Sequence, residues 1–335
     1  MSKLLAALRN ENNGPPPLWM MRQAGRYLPE YRALKEKYSF QEMYKNPQIA
    51  AEVTMQPLRR FPLDAAIIFS DLLVVAEALG PKLHYEEKIG PVFEKPLKMG
   101  EKLPTAQEVD IRSSLNYVAE AIKMVKSLLS VPVLGFAGAP LTVASYLIEG
   151  STSRSLAKTK KWMLQDPVSF EILLETICEA TIEYLKLQVE AGASALQIFD
   201  SWACYLSYDH FKRYSSRFFK RIVEAMAPTP IILFTKGTAG FVDLLVDCAP
   251  AAISIDWSCS LEVMRRQIPQ PIALQGNLDP DILYGPAEEI RRHTTGMLES
   301  MAGEKRYIVN LGHGILPDIP ISSVETFIDT VKNYA

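Results

Sequence analysis

Residues 127–148, SLLSVPVLGFAGAPLTVASYLI, form the longest stretch of the sequence without a charged side chain. The stretch is long enough to span a membrane, but Pro132, Gly135, Gly138 and Pro140 interrupt it. A helix in lipid cannot leave its backbone groups unpaired in this way. We therefore interpret the stretch as a short buried strand, a loop and the start of a helix.

The same strand-like pattern recurs along the chain, with helix-like stretches between its copies. The apolar, β-rich runs are nearly continuous rather than alternating, which is typical of parallel strands covered on both faces. Parallel neighbours need helical crossovers, and a cap-like residue precedes proline at residues 46–47, 166–167 and 285–286. The eight runs are residues 18–21, 65–69, 133–137, 195–199, 231–234, 252–255, 272–274 and 307–310.

This alternation predicts the fold class. About eight β/α units favour an α/β protein with a single (β/α)8 TIM-type barrel over a doubly wound sheet. No low-complexity linker divides the chain, so we predict one barrel domain over residues 1–335. Residues 80–105 are rich in glycine, proline and lysine, and we interpret them as an excursion between the second strand and its helix.

Composition and charge argue against several classes of protein. The 36 lysines and arginines against 38 aspartates and glutamates give a net charge of −2, whereas nucleic-acid binding needs a basic surplus. Residues 1–13 have no small-residue cleavage site, so we expect a cytoplasmic protein rather than a secreted one. The four cysteines and four histidines show no CxxC, HxH or HExxH spacing, so neither disulfides nor a zinc site is predicted.

Polar or titratable side chains follow the carboxyl ends of the predicted strands. These ends share one mouth in a barrel, and active sites form there. Any one of these residues could be polar simply because a strand end is exposed to solvent. Only the whole set of residues favours a functional site. The residues are Arg22, Arg26, Asp71, Asp200, Ser201, Thr235, Lys236, Asp256, Gln275, Asn277 and His313.

The segment after the first run is basic. Residues 22–60 carry eight basic and four acidic side chains, and arginine binds carboxylate or phosphate in a bidentate way. In MRQAGRYLPEY, residues 21–31, Arg22 and Arg26 flank Gly25, which lets a ligand approach the backbone closely. A solvated charged face explains Lys35 and Lys37 well, but it explains Arg22 poorly because Arg22 directly follows an apolar run.

Three further residues have two possible roles each. Asp71 either caps the following helix or accepts ligand N–H groups and stabilises a developing positive charge. Tyr146 is a packing aromatic or a pocket hydroxyl, and packing is favoured. His313 lies between two glycines, which is unusual for a merely buried histidine, so it could exchange hydrogen bonds with a carboxylate or a ring.

Seven motifs, in this order and over essentially the whole chain, resemble the uroporphyrinogen decarboxylase family: MRQAGRYLPEY, AAIIFSD, GFAGAP, QIFDSWA, ILFTKG, QGNLDP and NLGHGI. The resemblance implies a cytosolic, cofactor-free homodimer with a barrel fold. It implies conversion of uroporphyrinogen III to coproporphyrinogen III by removal of carboxyl groups from acetate side chains. The implied partner is this tetrapyrrole, with no nucleic acid, membrane or metal.

The resemblance also implies roles, residue by residue. Asp71 resembles the acid that accepts from pyrrole N–H groups and stabilises the charged intermediate, and Arg22 and Asp71 are the catalytic candidates. The proton donor stays open between Arg22 and a bound water. The RQAGR block resembles the arm that binds substrate carboxylates, and three other residues match further contacts: Arg22, Gln23, Ala24, Gly25 and Arg26 in the block, then Tyr146, Ser201 and His313.

The expected chemistry needs no cofactor, because a protonated pyrrole can accept the electron pair that is released when the bond to the carboxyl carbon breaks. A flat macrocycle needs an apolar mouth, which Phe69, Phe136 and Phe199 could supply. Two residues depart from the family's pattern. Leu141 stands where many members carry tryptophan, and Lys35 stands at a position that can be arginine, so pocket shape and carboxylate geometry could differ.

Two other functions stay open. A cobamide-dependent methyltransferase has a similar fold but needs zinc held by thiolate and imidazole ligands. The sequence has Phe234-Thr235-Lys236-Gly237 where that pattern is expected. A non-catalytic carrier of tetrapyrroles or other anions would use the same basic mouth without turnover.

Overall fold

A curled sheet of seven parallel strands forms the centre of the computed structural model, which describes residues 2–87, 89–237 and 239–334. The strands are β1 (Ala66–Ile67), β2 (Leu83–Glu86), β3 (Gly90–Phe93), β4 (Val133–Gly138), β5 (Ala195–Asp200), β6 (Ile231–Thr235), β7 (Ala252–Ser254), β8 (Ala273–Leu278) and β9 (Tyr307–Leu311). The order across the sheet is β1-β4-β5-β6-β7-β8-β9. The central strands are apolar and buried throughout, as the sequence predicts for strands covered on both faces.

Helices alternate with these strands and cover the sheet. The predicted caps at Asn46 and Asp166 are confirmed, because their side chains accept backbone N–H groups at the starts of two helices. The third start differs by one position, since Pro286 itself is the N-cap. The helices are α1 (Lys3–Leu8), α2 (Pro29–Lys35), α3 (Phe40–Lys45), α4 (Pro47–Arg60), α5 (Val74–Ala78), α6 (Ile111–Ser114), α7 (Asn116–Leu128), α8 (Pro140–Glu149), α9 (Ala157–Gln165), α10 (Pro167–Ala191), α11 (Tyr208–Phe211), α12 (Arg217–Ala225), α13 (Val242–Val246), α14 (Leu261–Gln267), α15 (Ala287–Glu299) and α16 (Ile321–Lys332).

Seven of the eight predicted runs are strands of this sheet. The exception is residues 18–21, where Leu18 makes a single parallel bridge to Val309 of β9. The carbonyl of Leu18 also accepts from the Asp64 N–H group at 2.8 Å, just before β1. The segment thus bonds to both edges of the curled sheet. Its pairing is short because Pro15, Pro16 and Pro17 have no N–H groups to donate.

The segment at residues 80–105 is more regular than the sequence predicts. It contains an antiparallel hairpin of β2 and β3, in which Leu83 pairs with Phe93 and Glu86 pairs with Gly90. Tyr85 of this hairpin packs edge-to-face on Phe40 of α3, with 4.8 Å between ring centroids. The excursion is therefore packed against the rest of the domain.

Buried polar side chains fill part of the sheet's concave interior. Trp19 Nε1 donates to Gln275 Oε1 at 2.9 Å. Gln275 Nε2 in turn donates to Gln197 Oε1 at 3.0 Å and to Ser254 Oγ at 2.9 Å. All four residues are fully buried. This network joins β5, β7 and β8 and ties the residue after Leu18 to them.

Within the described residues, no helix has the length and apolar character needed to cross a membrane.

Candidate active site

Arg22 lies at the mouth in a strained backbone conformation, with a φ of 60°. The chain on either side is anchored, because the Met21 N–H group donates to Asn310 Oδ1 at 3.0 Å and the Met21 carbonyl accepts from Ile315 N–H at 3.0 Å. The Arg22 side chain runs over Gly314, where an added Cβ would lie 2.6 Å from Arg22 Cγ and 2.8 Å from Nε. Glycine at 314 therefore leaves the space that the guanidinium stem occupies.

The Arg22 side chain is accessible to solvent, and protein also surrounds it. Solvent reaches the side chain, yet the surrounding protein desolvates it, and this burial together with the charge of Arg26 lowers its pKa. Tyr146 and Asp71 act in the opposite direction. A cation in a concave site beside another cation is well suited to bind an anion.

Asp71 follows β1 and combines the two roles that the sequence left open. Its Oδ1 accepts from the Leu73 N–H group at 2.8 Å, so it supports the turn into α5. Burial raises the pKa of its carboxyl, and the negative charge of Glu77 raises it further. Backbone N–H groups and the Tyr85 hydroxyl favour the charged form. The result is an enclosed carboxylate whose charge reaches Arg22.

Tyr146, on α8, likewise serves both in packing and at the site. Its ring packs edge-to-face on Trp202, with centroids 5.5 Å apart. Burial raises the pKa of its hydroxyl, with a further rise from Asp71 and a lowering from Arg22. The hydroxyl therefore stays protonated at neutral pH and can donate a hydrogen bond. Sequence reasoning missed Trp202, although it lies within the QIFDSWA motif.

His313 is held in its neutral form. Burial lowers its pKa to about 4, the positive charges of Arg22 and Lys236 contribute, and Asp256 opposes them. Its ring lies edge-to-face on Trp257, with centroids 6.2 Å apart. A neutral imidazole can donate or accept one hydrogen bond at neutral pH without adding a charge.

A line of aromatic rings crosses the carboxyl ends of the strands, and we call it the aromatic band. Neighbouring ring centroids are 5.9, 5.6, 5.9 and 6.2 Å apart in turn. Phe136 and Phe234 are buried, so the apolar surface that the band offers to a flat ring system comes from Phe199, His313 and Trp257. The members, in order, are Phe136, Phe199, Phe234, His313 and Trp257.

Phe69 does not join this band. It packs instead on Tyr31 and Phe40, with centroids 5.8 and 5.6 Å away. Of the three phenylalanines considered from the sequence, the structure thus brings Phe136 and Phe199 together and places Phe69 in a separate cluster.

The interior of the RQAGR block is structural. Gln23 is fully buried, its Oε1 accepts from Met20 N–H at 3.1 Å, and its Nε2 donates to the Ala65 carbonyl at 3.1 Å. Both ends of its amide are therefore used within the protein. The geometry gives the Gln23 side chain a positioning role next to Arg22, and the contact of Gln23 with substrate stays a prediction.

The other members of the block lie nearer to solvent. Ala24 and Gly25 are half-buried, and Arg26 is exposed. A Cβ at Gly25 would lie 3.1 Å from the Arg22 carbonyl oxygen, so glycine permits the tight turn. The Arg26 carbonyl accepts from Arg32 Nη1 at 2.9 Å, which fixes the backbone while the Arg26 side chain stays at the surface.

Other polar strand-end residues have separate tasks. Asp200 is fully buried, and its carboxylate accepts from Thr142 Oγ1 and Ser215 Oγ at 2.6 Å each. Asn277 Nδ2 donates to the carbonyls of Asp256 and Cys259 at 2.8 and 2.7 Å. Ser201 is half-buried beside Trp202. The structure thus couples Arg22, Asp71, Tyr146 and His313 electrostatically, while Asp200 and Asn277 support the loops.

We expect Gln23→Ala to lower the free energy of unfolding by about 2 kcal/mol, because it leaves buried backbone partners unsatisfied. Urea unfolding followed by circular dichroism measures this. The exposed Gln107 provides a matched control in Gln107→Ala, which should change little. A Gln23→Ala variant with unchanged stability and weakened substrate binding would support the predicted contact of Gln23 with substrate.

The lowered pKa of His313 predicts a pH-dependent stability. Its unfolded pKa is about 6.5 and its folded pKa is about 4, so between these values the unfolded chain binds a proton that the folded chain does not. Stability therefore falls as pH drops across this range, by about 2–3 kcal/mol for this group between pH 7 and pH 4.5. Between pH 7 and pH 4.5, the free energy of unfolding of His313→Asn should therefore fall by less than that of the parent chain, and the difference should equal this amount. Urea titrations at the two pH values measure it. Equal losses would contradict it.

The described residues contain no group of three or more His, Cys, Asp or Glu side chains placed to hold a metal ion. The thiolate and imidazole set that a zinc-dependent methyltransferase needs is therefore not found among them.

The curled sheet of seven parallel strands and its covering helices define an α/β protein with a half-barrel fold. The family model described as Uroporphyrinogen decarboxylase (URO-D) matches residues 1–334. This chain belongs to the uroporphyrinogen decarboxylase family.

Individual relatives agree with this assignment. A uroporphyrinogen decarboxylase of Protochlamydia amoebophila is 47% identical over 331 residues, which cover 98% of this chain and 91% of that protein. One of Flavobacterium johnsoniae is 43% identical over 333 residues, covering 98% and 97%. A solved methyltransferase from Methanosarcina mazei has a TM-score of 0.83 at 25% identity, covering 98% of this chain and 97% of that one.

Proposed function

We propose that this chain decarboxylates the acetate side chains of uroporphyrinogen III to give coproporphyrinogen III, in porphyrin and haem biosynthesis. Family membership supports the reaction. The observation that supports the residue roles is electrostatic: the charge of Asp71 opposes the lowering of the Arg22 pKa, and both residues act on the pKa of Tyr146. One group suits the substrate's carboxylates and the other suits a cationic ring.

Substrate binding divides between charge and apolar contact. Arg22 and the exposed Arg26 bind peripheral carboxylates, with the Gly25 turn between them allowing close approach. The aromatic band packs on the macrocycle. Tyr146, Ser201 and His313 supply neutral hydrogen-bonding groups that add no charge to the mouth.

Catalysis follows from the electronics of the pyrrole ring. A proton added to a ring carbon makes the ring cationic, the bond to the acetate carboxyl carbon breaks, and its electron pair flows into the ring as carbon dioxide leaves. A proton then adds to the exocyclic carbon and the ring proton is released, so one proton replaces each carbon dioxide. Asp71 accepts from pyrrole N–H groups and stabilises the cation. The first proton comes from Arg22 or a bound water.

The proposal also covers the closure of the fold, the compartment and the oligomeric state. The segment around Leu18, bonded to β9 and to Asp64, acts as the eighth strand and closes a (β/α)8 barrel, and residues 1–335 form one domain. The protein works in the cytoplasm as a homodimer. The net charge of −2 supports a function without nucleic acid.

The test is turnover. The purified chain is incubated anaerobically with uroporphyrinogen III, and separately with isomer I, under reducing and metal-free conditions. Chromatography and mass spectrometry then follow the stepwise loss of carboxyl groups. Conversion to coproporphyrinogen supports the proposal. Saturable binding without loss of carbon dioxide would instead favour the non-catalytic carrier.

A further inference from the structure

Lys236 lies at the mouth, at the Trp257 end of the aromatic band. It directly follows β6, and its backbone N–H donates to the Asp200 carbonyl at 3.4 Å. Its ammonium nitrogen lies 5.7 Å from the ring centroid of Trp257, which follows β7. Trp257 in turn packs on His313 after β9. Residues that follow three strands, β6, β7 and β9, therefore lie near one another here.

The ammonium of Lys236 is not neutralised by a carboxylate. None of the ion pairs formed within residues 2–87, 89–237 and 239–334 includes it. The nearby Asp256 directs its carboxylate elsewhere, because Oδ2 accepts from the Gly237 N–H group and Oδ1 accepts from the Ser258 N–H group at 2.9 Å. The lysine is thus held by a ring face, which orients a cation without cancelling its charge.

The charge of Lys236 acts inside the site. It contributes to the lowered pKa of His313 and acts to lower that of the Cys204 thiol. The lysine is half-buried, and Trp257 is 39% exposed. A solvent-reached cation beside an exposed tryptophan at the end of an aromatic wall offers both a charge and an apolar edge to a ligand.

A tetrapyrrole with carboxylates on every ring presents anions on more than one side of the macrocycle. Arg22 and Arg26 come from the segment between Leu18 and α2, whereas Lys236 comes from β6. The His313 ring, on which both Arg22 and Lys236 act, is neutral at pH 7, so it cannot serve as the second cation. Lysine presents a point charge on a flexible stem, which can follow side chains of different length.

We propose that Lys236, oriented by the ring of Trp257, forms a second carboxylate subsite at the Trp257 end of the aromatic band, separate from that of Arg22 and Arg26. This inference rests on the proposed function for the identity of the ligand. The subsite contributes to substrate affinity and takes no part in proton transfer. Its loss should therefore raise KM and leave kcat nearly unchanged.

The experiment compares Lys236→Met, which removes the charge and keeps an apolar stem, with Lys236→Arg, which keeps the charge. Lys186→Met is the matched control, because Lys186 is exposed on α10 and pairs with Glu183. Affinity for uroporphyrin III is measured by equilibrium dialysis over a salt series, and KM and kcat are measured with uroporphyrinogen III. Thermal melts check that each variant is folded.

We expect Lys236→Met to weaken binding and raise KM about fivefold at low salt, as a partly exposed charge-assisted contact should. Its salt dependence should be shallower than that of the parent chain. Lys236→Arg should recover most of the loss, and Lys186→Met should match the parent. Unchanged affinity and salt dependence in Lys236→Met would overturn the subsite. Equal losses of affinity in Lys236→Met and Lys236→Arg, with the salt dependence of the parent chain, would also overturn it.

The two proposals fail in different ways. A parent chain that binds uroporphyrin III but releases no carbon dioxide would refute the proposed function, while weaker binding by Lys236→Met would still support an anion subsite. A parent chain that turns over normally, with Lys236→Met kinetically identical to it, would refute the subsite alone.

Discussion

Asp71→Asn should lower kcat about a hundredfold or more while leaving substrate affinity within a few-fold of the parent chain. The amide keeps the shape of the carboxylate and can still accept from the Leu73 N–H group. It lacks the negative charge that stabilises a protonated pyrrole, and removal of such a preorganised group typically has this effect on the rate. Steady-state kinetics and uroporphyrin binding measure the two quantities separately.

The same substitution should not destabilise the fold. Burial raises the pKa of Asp71 in the folded chain, so at neutral pH the ionised carboxylate is less favourable there than in the unfolded chain. We therefore expect Asp71→Asn to melt at the same temperature as the parent or a higher one. Asp329→Asn, on the exposed face of α16, is the control for rate. Weakened affinity with an unchanged kcat would refute the role assigned to Asp71.

The raised pKa of Asp71 also predicts a pH effect on the rate. Because the ionised form is the active one, activity should fall as pH drops through its pKa, at a higher pH than for an ordinary aspartate of about 3.9. This acidic limb of the kcat/KM profile should be absent from Asp71→Asn, whose residual rate should not depend on this group.

Arg22→Ala should lower kcat/KM about a hundredfold, chiefly through a raised KM. The guanidinium is a partly desolvated cation beside Arg26, Tyr146 and Asp71, and loss of one partner in such a contact has a large effect on binding. A fall in kcat should accompany it if Arg22 also donates the proton. Arg292→Ala, at an exposed pair with Glu289 on α15, should behave as the parent chain does.

Gly314→Ala gives a second measure of the same contact. The added Cβ would lie 2.6 Å from Arg22 Cγ and 2.8 Å from Nε, so the arginine side chain must move. We expect a smaller loss of kcat/KM in the same direction as Arg22→Ala, and no further loss when the two substitutions are combined. Additive losses would show that Gly314→Ala acts independently of Arg22, and full activity in Arg22→Ala would show that Arg22 does not bind the substrate.

Much of the site could be predicted because its residues follow apolar strands directly. Seven strands and the placement of Arg22, Asp71 and His313 after strand-like runs follow from local patterns in the chain. Gln23 illustrates the limit of such reasoning. Its position within the RQAGR block predicts substrate contact, but its side chain turns inward to bond Met20 and Ala65, and no local pattern reveals that direction.

Long-range packing explains the other differences. The hairpin of β2 and β3 is stabilised partly by contacts such as that of Tyr85 with Phe40, which lies far away in sequence. Trp202 and Trp257 gain their importance from rings contributed by other strands. In the sequence, Lys236 is one of several polar residues at strand ends. Only the structure shows that its ammonium group lies over the ring of Trp257.

The amino-acid sequence alone determined the alternation of buried strands and helices, the basic segment after the first run and the family to which the chain belongs, because these are recorded in neighbouring residues. Only the tertiary structure decided which polar groups face the mouth, which of them are neutral and which are used inside the protein. Those properties depend on burial and on charges from distant strands. His313 and Gln23 show both effects, since neither the lowered pKa of one nor the buried amide of the other follows from the residues beside it.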